Sequence, residues 1–125
     1  MTHQPLPDVR TLAAQITRCI ESGRFSELDS LISADAKFWY NFDPAIHRWD
    51  EVRRGLVAAR EQLRSMYFEQ VRIAEIEGGW LQQHVLRMVH KDGSEKAMHA
   101  ALIYKVNEHG LVSSLEEYFD PASAG

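Results

Sequence analysis

The fold is decided by residues 66–120, which read MYFEQVRIAEIEGGWLQQHVLRMVHKDGSEKAMHAALIYKVNEHGLVSSLEEYFD. Glycine-marked turns divide this stretch at 78–79, 92–93 and 109–110, leaving four segments that have the composition of β-strands. These strands are about twice the usual five or six residues in length. Long antiparallel strands twist, so a sheet of this kind can curl until its concave face becomes a pocket.

The preceding residues add helices and one further strand. A first helix is predicted between the N-cap Asp8 and the closing Gly23, because apolar residues recur there at helical spacing. Ser26 resembles the start of a capping box and predicts a short second helix. Asp50 is the expected cap of a third helix.

Residues 34–42 change to the two-residue period of a strand, which the Asp43-Pro44 pair is expected to end. Phe38 and Tyr40 share one face of this strand. The expected organisation is a loose lead-in at 1–7, a single domain at 8–120 and a tail at 121–125. Helices that precede a run of strands indicate an α+β fold with the helices on one face of the sheet.

Composition limits the class of function. The 125 residues carry 14 Lys and Arg against 18 Asp and Glu, a net charge of −4, without the basic cluster of a nucleic-acid-binding surface. No apolar run approaches the length of a membrane span, and no signal peptide is recognised at the start. Cys19 is the only cysteine, so a reducing, cytoplasmic environment is expected and its thiol is predicted to be buried and inert.

Turn lengths assign side chains to the two sheet faces. If the turn at 92–93 has two residues, Arg87 lies opposite Met98, and a similar next turn extends this face to Glu117. The predicted pocket face then carries Gln83, Arg87, Leu102, Tyr104, Leu115, Glu117 and Phe119. His84 falls on the other face, unless a bulge brings it into the pocket, and a one-residue error would exchange the faces.

The opposite sheet face is too apolar to be solvated. Contact with a second copy of the chain is the simplest explanation for an apolar outer surface. The predicted homodimer interface consists of Trp80, Leu86, Met88, His99 and Ile103.

The order of two or three helices, one early strand and four strands ending in EYFD resembles the nuclear transport factor 2-like superfamily, and more narrowly its SnoaL-like members. The sharpest likeness lies in VNEHGLV at 106–112 and LEEYFD at 115–120. The resemblance spans 8–120 and implies a cone-shaped curled antiparallel sheet with three helices packed on its concave face. It also implies a deep pocket and frequent dimers.

The resemblance implies roles for particular residues. The position of the neutral acid in ketosteroid isomerases is occupied by Leu102, so classical steroid isomerisation is not expected. The strand around His84 is similar to one in scytalone dehydratase whose histidine is catalytic. In limonene epoxide hydrolase an arginine lies between two carboxylates, and Arg87 with Glu117 and Asp43 is similar to that arrangement.

No metal site or other cofactor is expected. His84 and His90 lie six residues apart on one strand, roughly 20 Å at about 3.3 Å per residue, so they cannot share an ion. His84 and His99 are closer, but two imidazoles without a carboxylate or thiolate make a poor site.

Two classes of function remain open. In one, the protein is an enzyme for isomerisation, dehydration, cyclisation or epoxide opening of a small apolar, oxygen-bearing molecule. Glu117 or Asp43 would move a proton, and Arg87, Tyr40 or Tyr104 would stabilise an oxyanion. In the other, it is a ligand-binding or dimerisation module in which Arg87 and Glu117 form a structural ion pair. Phe38, Gln83, His84, Leu102, Tyr104, Leu115 and Phe119 are the expected ligand contacts in either case.

Overall fold

The structure, a computed structural model, describes residues 8–120 and 122. The expected lead-in at 1–7 and the tail at 121–125, apart from residue 122, lie outside the described residues. The described residues form three helices: α1 (Val9–Ser22), α2 (Phe25–Asp29) and α3 (Trp49–Glu61). The strands are β1 (Ile32–Tyr40), β2 (Asp43–Arg48), β3 (Leu63–Ile76), β4 (Gly79–His90), β5 (Glu95–Val106) and β6 (Val112–Phe119). The predicted α+β class is confirmed, including the four C-terminal strands.

Helix α1 has the ends that its sequence predicts. The Asp8 carboxylate accepts a hydrogen bond of 3.1 Å from the backbone N–H of Arg10. Gly23 ends the helix with φ 72°. The backbone N–H groups of Gly23 and Arg24 donate to carbonyls of the last helical turn, as in a glycine C-cap. The caps predicted for the other two helices are wrong, because Ser26 and Asp50 both lie inside their helices.

Strand β2 follows β1 in a tight hairpin and was not expected from the sequence. Asp43 begins this strand opposite Tyr40, so the Asp43-Pro44 pair starts a new strand as well as ending the first. Pro44 is compatible with β2 because β2 is an edge strand of the sheet, where a missing backbone N–H costs little.

The six strands form one open sheet in the order β2-β1-β6-β5-β4-β3. All neighbours are antiparallel except β1 and β6, which are parallel. Helix α3 contacts both β1 and β3, which lie towards opposite edges of the sheet, so the sheet curls around this helix.

The core lies between α1 and the concave sheet face. Leu12, Ile16 and Cys19 of α1 are buried in one cluster with Phe38, Trp80, Leu102, Tyr104 and Leu115 of the sheet. Helix α3 has no fully buried residue, although Val52 and Leu56 pack against the same cluster. Helix α3 therefore covers the concave face without filling the space beneath it.

The turn between β4 and β5 has three residues and not the expected two. The backbone N–H of His90 donates to the carbonyl of Ser94 at 2.8 Å, and Gly93 adopts φ 91° between them. A three-residue hairpin loop commonly ends in a left-handed residue, and only glycine adopts that conformation without strain. The Asp92 carboxylate also accepts hydrogen bonds from the backbone and hydroxyl of Ser94.

The extra turn residue exchanges the two faces of β4. Arg87 lies opposite Ala97, and His84 lies opposite Ala100, one residue away from the predicted pairing. Trp80, His84, Leu86 and Met88 therefore face the helices, whereas Gln83 and Arg87 face outward. The pairing of β5 with β6 differs from the prediction by two residues, since Leu102 and not Ala100 lies opposite Glu117. A shift of two residues keeps each side chain on the same face, so the faces of β5 and β6 are as predicted.

The predicted dimer interface is wrong as a contiguous surface. Trp80 is fully buried and Met88 is buried in the core, while Leu86 packs beside Met88. Only His99 and Ile103 of that set lie on the outer face of the sheet. None of the described helices is both long enough and apolar enough to cross a membrane.

Candidate active site

A cavity of about 550 Å³ lies between α3 and the concave sheet face. Its wall is formed by aliphatic and aromatic side chains from α1, α2, α3 and five strands, with a few polar groups among them. The polar groups are Tyr40, Asp43, His47, Glu51, His84, Tyr104 and Glu117. An apolar cavity of this size with a few convergent polar groups has the usual character of a small-molecule site.

Glu117 projects from β6 into this cavity, between the neighbouring strand positions of Tyr40 and Leu102. Its carboxyl group makes no hydrogen bond or ion pair with the described residues. Burial without a partner disfavours the charged form and raises the pKa of Glu117 to about 7. This carboxyl can therefore both accept and donate a proton near neutral pH.

Two tyrosines flank Glu117. Burial raises the pKa of Tyr40 and of Tyr104 well above the ordinary range, and the nearby Glu117 charge adds to the effect. Both phenols therefore stay protonated, and neither hydroxyl has a hydrogen-bond partner among the described residues. Tyr104 is fixed by stacking on Trp80, with 4.4 Å between the ring centroids. The two hydroxyls are available as hydrogen-bond donors to a ligand.

A second polar group, here called the mouth cluster, consists of Asp43, His47 and Glu51 at the more exposed end of the cavity. The His47 Nδ1 lies 2.5 Å from the Glu51 carboxylate, and its Nε2 lies 2.7 Å from the Asp43 carboxylate. The hydrogen bond to Glu51, followed by that to Asp43, raises the pKa of His47. The hydrogen bond from the Ala45 backbone, followed by that from His47, lowers the pKa of Asp43.

A chain of hydrogen bonds runs along the inner face of β4. The indole Nε1 of Trp80 donates to Gln82 Oε1 at 3.1 Å, and Gln82 Nε2 lies 3.0 Å from His84 Nδ1. All three side chains are buried, and His84 forms part of the cavity wall. Desolvation lowers the pKa of His84 to about 4, so its imidazole is neutral at physiological pH.

Most of the candidate residues from the sequence meet at this cavity. The wall includes Phe38, Tyr40, Asp43, His84, Leu102, Tyr104, Leu115, Glu117 and Phe119. Gln83 and Arg87 lie on the other face of β4, so the predicted proximity of Arg87 and Glu117 is wrong. Arg87 Nε instead donates to the Glu69 carboxylate at 2.6 Å. The described cavity wall contains no arginine or lysine.

Sequence reasoning missed three polar residues of the site: His47, Glu51 and Gln82. The regular spacing of Asp43, His47 and Glu51, four residues apart, was the available signal for the mouth cluster. Gln82 shares the two-residue period of Trp80 and His84, so a correct register of β4 identifies all three together. The described residues include no group of three or more His, Cys, Asp or Glu side chains arranged to hold a metal ion.

Solved structures share this fold. IdmH from Streptomyces antibioticus, a candidate polyketide cyclase, is similar with a TM-score of 0.81 at 15% identity, covering 94% of this chain and 96% of that one. A candidate SnoaL-like polyketide cyclase from Shewanella putrefaciens has a TM-score of 0.78 at 12% identity, covering 95% and 94%. An LEH-like epoxide hydrolase from M. tuberculosis has a TM-score of 0.73 at 14% identity, covering 93% and 84%.

Neither a protein-family model nor the sequence of a curated protein matches the chain. The structural likeness nevertheless confirms the expected fold, which is that of a candidate SnoaL-like polyketide cyclase and of a protein with a ketosteroid isomerase-like fold.

Proposed function

We propose that this protein is an enzyme that moves a proton on a small, apolar, carbonyl-bearing molecule, with Glu117 as the acid–base group. The observation that carries the proposal is the position of Glu117, an unpaired carboxyl on the wall of an apolar cavity, with its pKa raised to about 7. A general base is most effective when its pKa is near the working pH.

The proposed reaction begins with the Glu117 carboxylate removing a proton from the carbon next to a carbonyl group. The electron pair of the broken C–H bond moves onto the carbonyl oxygen and forms an enolate. Hydrogen bonds from Tyr40 or Tyr104 stabilise this oxyanion, since both phenols are protonated and unpaired among the described residues. Glu117 then returns the proton at another carbon. Alternatively, the enolate carbon attacks a second carbonyl group of the same molecule, and Glu117 gives its proton to the alkoxide oxygen that forms.

The second outcome is an intramolecular aldol cyclisation, and the likeness in fold to candidate polyketide cyclases supports it. Epoxide opening with an arginine between two acids has less support, because Arg87 is paired with Glu69 outside the cavity. Asp43 is less suited than Glu117 to accept a proton from carbon, because its pKa is lowered.

The experiment uses NMR to monitor the exchange of protons for deuterium in a bicyclic ketone, 2-tetralone, dissolved in D₂O with the protein. We expect the protein to accelerate exchange next to the carbonyl, and Glu117→Gln to abolish the acceleration. Glu116→Gln is the matched control, because Glu116 is the exposed neighbour on the same strand. If the original protein and Glu117→Gln both bind the ketone and give the same rate of exchange of the ketone protons, the proposal is contradicted.

That last result favours the alternative function, a ligand-binding or dimerisation module. Exposed aromatic and aliphatic side chains on the outer sheet face, including Tyr67, Ile76 and Tyr118, support a contact with a second copy. Light scattering of the purified protein tests the dimer directly, and a monomer at all accessible concentrations contradicts it.

A further inference from the structure

The inward side chains of the first half of β4 form one hydrogen-bonded row from the core to the cavity. Trp80, Gln82 and His84 occupy alternate positions of the strand, so they all point toward the helices. Trp80 is 0% exposed and stacks on Tyr104, which fixes the start of the row. His84 is 5% exposed, and its ring packs edge-on to Phe68 with 4.7 Å between the centroids.

The chemistry of the three groups allows one arrangement of protons. An indole N–H can only donate, so the Gln82 atom that faces Trp80 has to be the carbonyl oxygen. The amide NH₂ of Gln82 therefore faces His84 and donates to Nδ1. Because Nδ1 accepts this hydrogen bond, the single proton of a neutral imidazole has to lie on Nε2.

The Nε2 atom of His84 is the free end of the row. It makes no hydrogen bond with any described residue. It is also not one of the unpaired polar atoms that the described residues enclose completely, so part of its surface is open. His84 belongs to the cavity wall, so Nε2 is the atom that a ligand can reach. No described carboxylate pairs with the imidazole, so its surroundings offer nothing that would favour the protonated form.

We propose that Trp80 and Gln82 lock His84 as a neutral Nε2–H tautomer that donates a hydrogen bond to a carbonyl oxygen of the ligand. Gln82 is then a positioning residue, and His84 is a second oxygen-binding group beside the tyrosines. The tautomer follows from the hydrogen bonds alone, whereas its action on a substrate oxygen rests on the proposed function. A neutral imidazole can stabilise an oxyanion in an apolar site without carrying a charge itself.

The position of His84 also restricts the ligand. Its strand is separated from that of Glu117 by β5, and the two residues are offset by two positions along that strand. The standard spacings of a sheet give roughly 12 Å between their Cα atoms. Both side chains lie on the inner face of the sheet and line the same cavity. A ligand that contacts both of them therefore has to extend across this part of the cavity.

The first test is ¹⁵N NMR of histidine-labelled protein at neutral pH. The expected result is a pyrrole-type nitrogen at Nε2 of His84 and a pyridine-type nitrogen at Nδ1. The reverse assignment, or averaged signals from both tautomers, overturns the proposal. This measurement on the unmodified protein requires no ligand and no variant.

Two variants test the cause of the tautomer. In Gln82→Glu the carboxylate accepts from Trp80 and from His84, so the proton is expected to move to Nδ1. In Trp80→Phe the amide of Gln82 is no longer oriented by the indole, and a mixture of tautomers is expected. His84 spectra that are unchanged in whichever variants fold contradict the positioning role of Gln82.

Binding of 2-tetralone, compared with tetralin, its parent hydrocarbon, tests the role toward a ligand. Loss of one hydrogen bond in His84→Phe is expected to weaken ketone binding roughly tenfold and to leave tetralin binding unchanged. His99→Phe, on the outer face, is the control, and His84→Gln should restore part of the affinity. Equal losses for both probes overturn the proposal. If ketone binding depends on His84 but proton exchange does not depend on Glu117, the proposed function fails and this inference stands.

Discussion

The guanidinium of Arg87 lies 2.6 Å from the carboxylate of Glu69, on the face of the sheet that points away from the cavity. Both side chains are 37% exposed, so water screens the pair. An exposed ion pair of this type contributes at most about 1 kcal/mol to folding.

Arg87→Met should therefore lower the free energy of unfolding by less than about 1 kcal/mol and leave ligand binding in the cavity unchanged. Urea denaturation and 2-tetralone binding are the measurements. A loss of binding as large as that of Glu117→Gln would mean that Arg87 reaches the site.

Glu117 should make the protein less stable as the pH rises through neutrality. Burial raises its pKa from an ordinary 4.5 to about 7, so between these values the folded protein holds a proton that the unfolded chain has released. Stability due to this group is full below the lower value, falls progressively between the two values, and is lower by roughly 3 kcal/mol above the upper one.

Glu117→Gln should remove this dependence, because an amide does not titrate. The variant is expected to match the original protein near pH 5 and to be more stable at pH 8. Denaturation at both pH values, with Glu116→Gln as the control, checks the difference. Parallel profiles for the protein and Glu117→Gln would show that Glu117 titrates normally.

In the mouth cluster, His47 should keep its proton to a higher pH than an ordinary histidine, because its pKa is raised above 6.5. The largest cause of the raised pKa of His47 is its hydrogen bond to Glu51, so Glu51→Gln should lower that pKa. Titration of the ring protons by NMR measures it. Asp50→Asn is the control, because Asp50 is an exposed acid in the same helical turn and pairs with Arg54 at 3.6 Å.

The same cluster should stabilise the fold at low rather than high pH. Because the pKa of His47 is raised on folding, its contribution is present below the ordinary value of 6.5 and is lost as the pH passes the folded value. Glu51→Gln should therefore cost more stability at pH 6 than at pH 9. An equal cost at both would assign Glu51 another role.

Cys19 should resist modification in the folded protein. It is 1% exposed on the buried face of α1, and burial raises the pKa of its thiol. Reaction with a disulfide reagent such as Ellman's reagent should be slow in the native state and rapid in denaturant. Equally rapid reaction in both states would mean that α1 opens readily from the sheet.

Much of the architecture follows from local sequence signals. Asp8 and Gly23 determine α1, because a side-chain acceptor at the N-cap and a left-handed C-terminal residue act within a single turn of helix. The glycines of 66–120 mark all three hairpins. The alternation along β5 and β6 identifies the cavity side of these strands, including Leu102 and Glu117.

The tertiary structure decided which face of β4 lines the site. A turn containing Asp92-Gly93 is compatible with two or three loop residues, and the two lengths place opposite faces of the strand toward the helices. Only pairing with β5 and burial of Trp80 against Tyr104 fix the choice, and these contacts join residues distant in sequence. The raised pKa of Glu117 likewise has no local cause, since helices and strands from the whole chain exclude water around one carboxyl group.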